Sequence, residues 1–537
     1  AIGSNAMTLN TTGDRNVAVG YKALMDMNVT DGSHTFNTAV GFAAGENTST
    51  GTTNTFMGAN AGNANTTGAL NTAVGANALS SATTADSNTA IGQNALNANT
   101  TGATNVAVGR NALDANTTGV NNVAVGVNAL DDSTTGVQNT ALGTSALANS
   151  TTADNNSAVG HSALFDNTTG TNNTAVGTLS LSNNTTANNN TAIGASSLLA
   201  NTTGADNVSV GQGSLQSNTT GASNTAIGRD SMVANTTASH NVAVGKESIT
   251  TNTTGEQNTA VGNFSLALNT TASNNTAIGY SALLRNTTGA QNTAVGATAG
   301  DAITTGSNNT ALGFEALGRA AGLDITTGGG SVAIGVEALE NGTTGTNNVA
   351  LGKQAGRSIS TGGNNMLLGP FSGNSGSPGG AISSGNNEVT LGNGDHSKIN
   401  TQVSLTVASD ERDKTDFTDL DVGLAFVNQL APVTYKWDKR ARYVDWDANP
   451  DTDLNSITHD GTHKESWLDV GFKAQSVEAV EASFGYNLSN ETNLTTSLSQ
   501  DGKQYGLQYE KFVPILVKAV QELSAKVEEL ESKLNGE

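Results

Sequence analysis

The chain has 537 residues and a formal net charge of −22, with 63 glycines, 5 prolines and no cysteine. The negative charge and the lack of any basic stretch exclude nucleic-acid binding through phosphate neutralisation. Without cysteine there are neither disulfides nor thiolate metal ligands, and no apolar run approaches the ~20 residues that span a bilayer. We therefore expect no cofactor, no metal, no nucleic acid and no membrane insertion.

A seventeen-residue period dominates the first part of the chain. A glycine that closes a phrase like Asn-Thr-Ala-Val-Gly recurs in sixteen consecutive steps from Gly41 to Gly313. Further copies extend the pattern to Gly3 on one side and to Gly392 on the other. A period this strict indicates one supersecondary unit stacked on itself, so we expect a β-solenoid shaft over residues 1–369. Such a shaft has no single catalytic core, which indicates a structural or adhesive role.

Each repeat predicts two short strands and two turns, which together make one coil of a parallel β-solenoid. In the repeat that begins at Asn88, Thr89-Ala90-Ile91 is too short for a helix and suits a strand. Gly92 ends this strand, Asn94-Ala95-Leu96 is a second short segment, and Asn99-Thr100-Thr101-Gly102 has turn chemistry.

The same repeat gives an expectation for packing. Ile91 and Leu96 are predicted to point into the coil, and the alanines to lie where another wall or chain comes close. Because a thin coil with one large aliphatic residue per strand buries little apolar area, we expect several chains side by side with alanine faces inside the oligomer. The acidic residues are expected to be scattered out of phase, without the paired carboxylates that polysaccharide hydrolysis needs.

Two features of the body suggest more specific hypotheses. The phrases from Asn105 to Gly109 and from Ser331 to Gly335 resemble the head repeats of trimeric autotransporter adhesins, whose repeat is somewhat shorter. That resemblance implies left-handed parallel β-rolls packed as trimers. The recurring Asn-Thr-Thr triplets have two interpretations: turns with Thr and Asn ladders between coils, or a regular threonine array that binds a repetitive ligand such as a glycan or ice.

The composition changes after the solenoid. Residues 370–408 are predicted to form transition strands and loops, including strand-like phrases at Glu388–Gly392 and Val403–Val407. From Ala408 onward the chain carries all three tryptophans, dense charge and helical periodicity. We expect a separate α+β domain over 409–510 and a helix over 511–537.

Five ordered blocks of this C-terminal part resemble the S74 intramolecular chaperone domain, which occurs at the C-terminus of endosialidase tailspikes and phage fibres. The resemblance spans about residues 409–525. It implies a domain that trimerises, templates the folding of the fibre upstream and then cuts itself off. The blocks are Ser409-Asp410-Glu411-Arg412-Asp413-Lys414, Leu430–Trp437, Gly471–Glu478, Tyr505–Tyr509 and Pro514–Leu523.

Carried onto this chain, the resemblance implies a cut between Ala408 and Ser409. Ser409 would be the nucleophile and Lys414 the base of a Ser-Lys dyad, because a serine hydroxyl needs a base to take its proton and a buried lysine can serve. The chain would then be a serine endopeptidase acting once on itself, without turnover of an external substrate. The implied supporting residues are Asp410, Arg412 and Gln475.

Several residues leave alternatives open. Taken alone, Ser409-Asp410 also suits a helix N-cap. Asp469 stands where many family members have a histidine, which departs from the family's pattern. His459 and His463 are spaced four apart, and we interpret them as loop residues because no third metal ligand is evident.

The C-terminal tail predicts trimerisation independently of the resemblance. Its apolar residues alternate steps of three and four over about three heptads, which is typical of a coiled-coil seam. An amphipathic helix packed on its own domain is the alternative for the first half of the tail. The seam comprises Val513, Leu516, Val520, Leu523, Val527, Leu530 and Leu534.

We interpret the sequence as a homotrimeric phage tail fibre located in the virion, which attaches to a host cell-surface receptor, a glycan. Because Ala1-Ile2-Gly3 already lies inside a repeat, we expect a missing N-terminal region that binds other virion tail proteins. The alternatives are a bacterial trimeric surface adhesin with the same chaperone, located at the cell surface, and a fibre with polysaccharide hydrolase activity.

Overall fold

The computed structural model describes residues 1–30, 32–318, 328–396, 398–402, 407–446, 448–449 and 452–536. It contains two compact units, Ala1–Thr305 and Gly306–Glu537. The first unit consists of solenoid coils. The second contains further coils of the same kind, followed by helices and two small antiparallel sheets.

The first unit is a parallel β-solenoid with one three-residue strand in each coil, which confirms the predicted fold class and its period. Neighbouring strands pair in register, as Thr72–Val74 does with Thr89–Ile91. The strands are β1 (Val17–Val19), β2 (Thr38–Val40), β3 (Thr55–Met57), β4 (Thr72–Val74), β5 (Thr89–Ile91), β6 (Val106–Val108), β7 (Val123–Val125), β8 (Thr140–Leu142), β9 (Ser157–Val159), β10 (Thr174–Val176), β11 (Thr191–Ile193), β12 (Val208–Val210), β13 (Thr225–Ile227), β14 (Val242–Val244), β15 (Thr259–Val261), β16 (Thr276–Ile278) and β17 (Thr293–Val295).

The second strand predicted in each repeat does not form; the segment curls instead. Asn94 and Leu96 have φ values of 61° and 53°, in the left-handed region, so the backbone alternates in direction rather than extending. The Asn94 N–H donates to Ala76 O of the preceding coil at 3.0 Å, and the Leu96 N–H donates to Ala112 O of the next coil at 3.0 Å. The curled segment therefore joins both neighbouring coils without being extended.

The predicted orientation of the strand side chains is wrong by one position. Leu96 points inward as expected, but Ala90 is 0% exposed whereas Ile91 is 40% exposed. The interior is too narrow for a large side chain from both walls. Where serines replace the two facing alanines, Ser197 Oγ lies only 2.7 Å from Ser209 Oγ, within the distance of one hydrogen bond.

Glycine closes each strand because the next coil comes too close for a side chain. Gly92 has φ 137°, and a Cβ built there would lie 2.3 Å from the carbonyl oxygen of Gly109. An alanine at this position would be both strained and in collision with backbone atoms. The period seen in the sequence is thus the repeat of one close backbone contact.

Side-chain ladders between coils satisfy most of the buried polar groups, and the Asn-Thr-Thr triplets take part in them, as the first interpretation predicts. Asn116 Nδ2 of one triplet donates to Asn99 Oδ1 of the preceding triplet at 2.8 Å. Thr100 Oγ1 donates to Thr117 O of the next coil at 3.0 Å. The second threonine of each pair, such as Thr101, is exposed.

The second unit continues with solenoid strands and then forms a small α+β region. Its parallel strands pair in chain order, and the antiparallel pairs are β23 with β24 and β25 with β26. The elements are β18 (Thr310–Leu312), β19 (Val332–Ile334), β20 (Val349–Leu351), β21 (Met366–Leu368), β22 (Val389–Leu391), α1 (Leu424–Val427), β23 (Val433–Tyr435), β24 (Asp469–Gly471), α2 (Ala474–Ser483), β25 (Thr496–Leu498), β26 (Tyr505–Leu507) and α3 (Phe512–Asn535).

A small apolar core holds the three helices together. It contains one face of α3 and side chains from α2 and from the region of α1. None of the helices in the described ranges is long and apolar enough to cross a membrane. The core residues are Val422, Phe426, Val477, Phe512 and Ile515. Of the predicted strand-like phrase Val403–Val407, residues 403–406 lie outside the described residues.

Two carboxylate pairs, Asp114 with Asp131 and Asp230 with Glu247, contradict the expectation that acidic residues of the body are out of phase. Asp114 and Asp131 occupy the same position in adjacent coils, seventeen residues apart. Burial raises the pKa of Asp131 to about 6, and the Asp114 and Asp132 carboxylates add to the rise. Burial also raises the pKa of Asp114, against a hydrogen bond from Asn97, which holds the corresponding position one coil earlier.

We predict that Asp131→Asn stabilises the solenoid at neutral pH. Because the folded-state pKa is raised, the folded chain binds a proton more tightly than the unfolded chain, so stability is lost as pH rises through about 6. The amide removes this loss, so the melting temperature at pH 7.5 should rise by about 2 °C. The gain should vanish at pH 4, where the carboxyl is neutral. An equal gain at both pH values, measured by circular dichroism, would contradict the assignment.

Candidate functional site

Ser409 and Lys414 lie at the two ends of a single tight turn. A 3-10 turn over Glu411–Asp413 reverses the chain, and the Lys414 N–H donates to Glu411 O at 3.1 Å. The turn brings Lys414 Nζ to 2.6 Å from Ser409 Oγ. The structure therefore places together the two side chains that the sequence comparison assigned to a dyad.

Asp410 fixes the start of this turn. It has extended backbone angles (φ −67°, ψ 133°), and its carboxylate accepts from the Arg412 N–H at 2.9 Å and from Arg412 Nε at 3.0 Å. These hydrogen bonds, from the side chain first and then the backbone, hold the pKa of Asp410 below its ordinary value and raise that of Arg412. The N-cap interpretation is thus correct for Asp410, and it coexists with the Ser409–Lys414 contact.

The turn is exposed in the single chain. Both Ser409 and Lys414 have exposed side chains. As an ammonium, Lys414 can only donate a hydrogen bond to the serine oxygen; as a free amine it can accept the hydroxyl proton. In general, burial of an ammonium group favours its free amine form.

The other predicted residues lie elsewhere. Gln475 is exposed in the first turn of α2, and within the described ranges no hydrogen bond joins it to the Ser409–Lys414 turn. Asp469, at the start of β24, accepts a hydrogen bond from Trp437 Nε1 at 3.1 Å. Asp469 therefore anchors Trp437, which lies two residues after the end of the neighbouring strand β23.

The two histidines of the domain pack on one tyrosine. The rings of His463 and Tyr443 meet edge to face with centroids 4.6 Å apart, and His459 lies on the same ring at 6.1 Å. In the part of the chain that the structure describes, no group of three or more His, Cys, Asp or Glu side chains is arranged to hold a metal ion.

The sequence analysis missed a buried carboxylate inside the C-terminal domain. Glu481 on α2 is 0% exposed and accepts from the N–H and hydroxyl of Thr495, at 2.6 and 2.7 Å, and from those of Thr496, at 3.2 and 2.5 Å. It thereby ties α2 to the start of β25. The sequence contains a signal for the burial of Glu481, because this residue follows the apolar Val477 by four positions and therefore lies on the same helix face.

Comparison with known proteins assigns a family resemblance to the segment that begins at this turn. A family model described as chaperone of endosialidase, Peptidase S74, matches residues 409–486. No curated protein matches the chain. The chain therefore combines a β-solenoid body of about twenty seventeen-residue turns with a C-terminal segment similar to the chaperone of endosialidase.

Proposed function

We propose that this protein is a homotrimeric tail fibre of a phage whose C-terminal domain templates the trimer and then cuts itself off before Ser409. The observation that carries the proposal is the 2.6 Å contact between Lys414 Nζ and Ser409 Oγ, at the first residue of the matched segment. A chaperone of this family implies self-trimerisation. Attachment to a host-surface glycan is the proposed task of the body.

The cutting step follows from ordinary acyl-transfer chemistry. Lys414, as a free amine, takes the Ser409 hydroxyl proton while Oγ attacks the carbonyl carbon of Ala408. The tetrahedral intermediate collapses with cleavage of the C–N bond, and the proton passes to the Ser409 nitrogen as it leaves. The resulting ester joins Ala408 to Ser409 Oγ. Water hydrolyses it to a carboxylate on Ala408 and a free α-amine on Ser409.

The C-terminal helix supports trimerisation. Phe512, Ile515 and Ala519 on α3 are buried against the chain's own domain. The predicted seam lies on a different face and is exposed, from 45% at Val527 to 80% at Leu534. The alternative of a helix packed on its own domain therefore accounts for one face only. A row of exposed aliphatic residues with heptad spacing fits the same seam of two further copies.

The body supports the same assembly through a different face from the one predicted. The strand alanines, such as Ala90, and the alanines before the inward leucines, such as Ala95, line the interior of the coil, so they are not free to meet another chain. The third position of the strand carries a large aliphatic residue in one coil after another, and these side chains form an outward-facing row. Contiguous exposed apolar surface is typical of interfaces. We infer that this row packs against the other two chains. Its exposed members include Ile91, Val125, Leu142, Val159, Val176, Ile193, Ile227, Val261 and Ile278.

The exposed threonines support attachment to a repetitive polar ligand such as a glycan. The second threonine of each pair is exposed, as Thr101 and Thr118 are, and it recurs once per coil. Adjacent coils are separated by the ~4.8 Å strand spacing, so these hydroxyls form a regular row. In this proposal, the row contacts sugar hydroxyls on the host surface.

The first test of the proposal concerns the cut. The parent chain should separate into fragments 1–408 and 409–537, and Ser409→Ala should stay whole because it lacks the nucleophile. Lys414→Arg should also stay whole, since the guanidinium keeps the positive charge but does not give up its proton. Mass spectrometry of the products locates the cut.

Matched variants control for general effects of these substitutions. Ser476→Ala and Lys436→Arg change exposed residues of the same types outside the turn, and both should cut like the parent. Cutting of Ser409→Ala at the parental rate, or a cut at another bond, would refute the dyad.

A second test concerns the seam. Leu523→Lys places a charge in the exposed row of α3 without touching the buried face. In the Ser409→Ala chain, which should stay whole, it should reduce the native mass from three times 54.0 kDa to that of one chain. Because we expect assembly to cover the exposed turn, Leu523→Lys in the parent chain should slow the cut at least tenfold. Ala525→Lys adds the same charge to α3 outside the seam and should behave like the parent. A monomeric parent in analytical ultracentrifugation at micromolar concentration would disprove trimerisation.

A third test concerns templating. Parallel pairing between coils is slow to nucleate, because closure entropy is lost before contacts form. A chain that ends at Ala408 should therefore aggregate or misregister when expressed alone, whereas the same body matured by cutting should be a soluble, heat-resistant trimer. Solubility and native gel mobility compare the two samples. Equal folding of both would show that residues 409–537 are not a chaperone.

A further inference from the structure

The last solenoid coil differs from the others in length and in surface. Its closing glycines, Gly369 and Gly392, are 23 residues apart rather than 17, and the additional residues form a Gly- and Ser-rich loop. Hydrogen bonds within the loop give it a fixed form: the Gly373 N–H donates to Ser377 Oγ at 3.0 Å, and the Ile382 N–H donates to Gly373 O at 2.9 Å. We refer to residues 371–396 as the docking pad.

The hairpin of β25 and β26 bonds to backbone groups of the docking pad. Gln504 Nε2 donates to Ser375 O at 2.9 Å and to Ser377 O at 3.1 Å. The Ala381 N–H donates to Asp501 Oδ2 at 3.1 Å. Backbone N–H and C=O groups need hydrogen-bond partners when they are removed from water. The side chains of Gln504 and Asp501 supply these partners to the pad in place of water.

Trp446 packs on the pad at a place where a side chain is missing. Trp446 is 8% exposed, and it shares an apolar cluster with Leu454 and with Phe371 of the pad. A Cβ built on Gly376 would lie 2.5 Å from Cζ2 of this ring, and no positive φ demands glycine there. The glycine is therefore explained by close contact with the tryptophan.

Polar contacts extend the interface to the end of the pad. Lys439 Nζ donates to His396 O at 2.9 Å, and Arg442 Nη2 donates to Asp395 O at 3.3 Å. Neither the apolar contacts nor the polar ones involve the Ala408–Ser409 bond. The C-terminal domain is thus attached to the last coil in two separate ways, through the chain and through the pad.

We propose that the docking pad is a binding site for residues 409–537, so that cutting the chain does not by itself release the domain. This inference rests on the proposed function for the position of the cut. After the cut, the domain stays on the last coil as a non-covalent cap, and its departure requires the contacts of Trp446, Asp501 and Gln504 to open. Release is then set by affinity and dilution, since the covalent link no longer maintains a high effective concentration.

The test separates docking from self-cutting. In the Ser409→Ala chain, the recognition sequence of a specific protease is inserted after Thr401, and the cut is made in vitro. A tag after Glu537 then captures the C-terminal fragment at micromolar concentration, and the captured body is measured. The body should stay bound, and it should also stay bound in the naturally cut parent.

Gly376→Ala places a methyl group against the Trp446 ring, so it should reduce the retained body at least fivefold. Gly342→Ala is the matched control: its Cβ would meet only Leu339 O, at 3.3 Å, and it should retain the body like the parent. Asp501→Ala with Gln504→Ala provides a second, independent disruption. Loss of the body from the unmutated fragment at the first wash, or full retention by Gly376→Ala, would overturn the docking pad. An uncut parent would instead count against the proposed function alone.

Discussion

The close contact between successive glycines is the constraint on which the solenoid depends. A Cβ on Gly92 would collide with the Gly109 carbonyl, so each coil lies directly on the next with no space for a side chain. This contact fixes the distance between adjacent coils. Equivalent polar side chains of successive coils are therefore aligned in rows along the solenoid. The asparagines before the strands then bond in a ladder from Asn16 to Asn292, in which, for example, Asn105 Oδ1 accepts from the Asn122 N–H. Most of the buried polar groups are tolerated because this alignment supplies them with hydrogen-bond partners.

The sequence revealed the period and the C-terminal motif but not the direction of the side chains. A three-residue strand can bury its first and third residues or its second, and the large Ile91 favoured the first choice. The interior excludes it, because the opposite wall already contributes Leu96 and the two walls are close enough for Ser197 to bond Ser209. In most strands alanine is therefore the inward residue, and the large aliphatic side chains of the strand face outward. Only the width of the coil, which depends on contacts distant in sequence, decides between the two choices.

Part of the candidate site could likewise be predicted from the sequence, and part could not. Ser409 and Lys414 are five residues apart, so local sequence was sufficient to place them on one turn, and Asp410 supplied a recognisable cap. Gln475 belongs to a block more than sixty residues away, and only the tertiary fold shows that it lies on α2, outside that turn. The docking contact of Gln504 with the loop at Ser375 could not be predicted from the sequence either, because a backbone carbonyl acceptor has no sequence signature.

The identity of the coils creates a problem that the C-terminal domain is suited to solve. Three chains of equal repeats shifted by seventeen residues would lose contacts only at their ends, so the body discriminates poorly between registers. The domain after Ser409 has no internal repeat, and its helix α3 offers a single exposed seam. In the proposed trimer, joining at that seam would align the last coils before the others pair, and parallel pairing could then proceed from one end. Once the cut has been made and the domain has dissociated, a misaligned trimer would have no route back to the correct register through it. The proposed function therefore requires alignment to precede cutting.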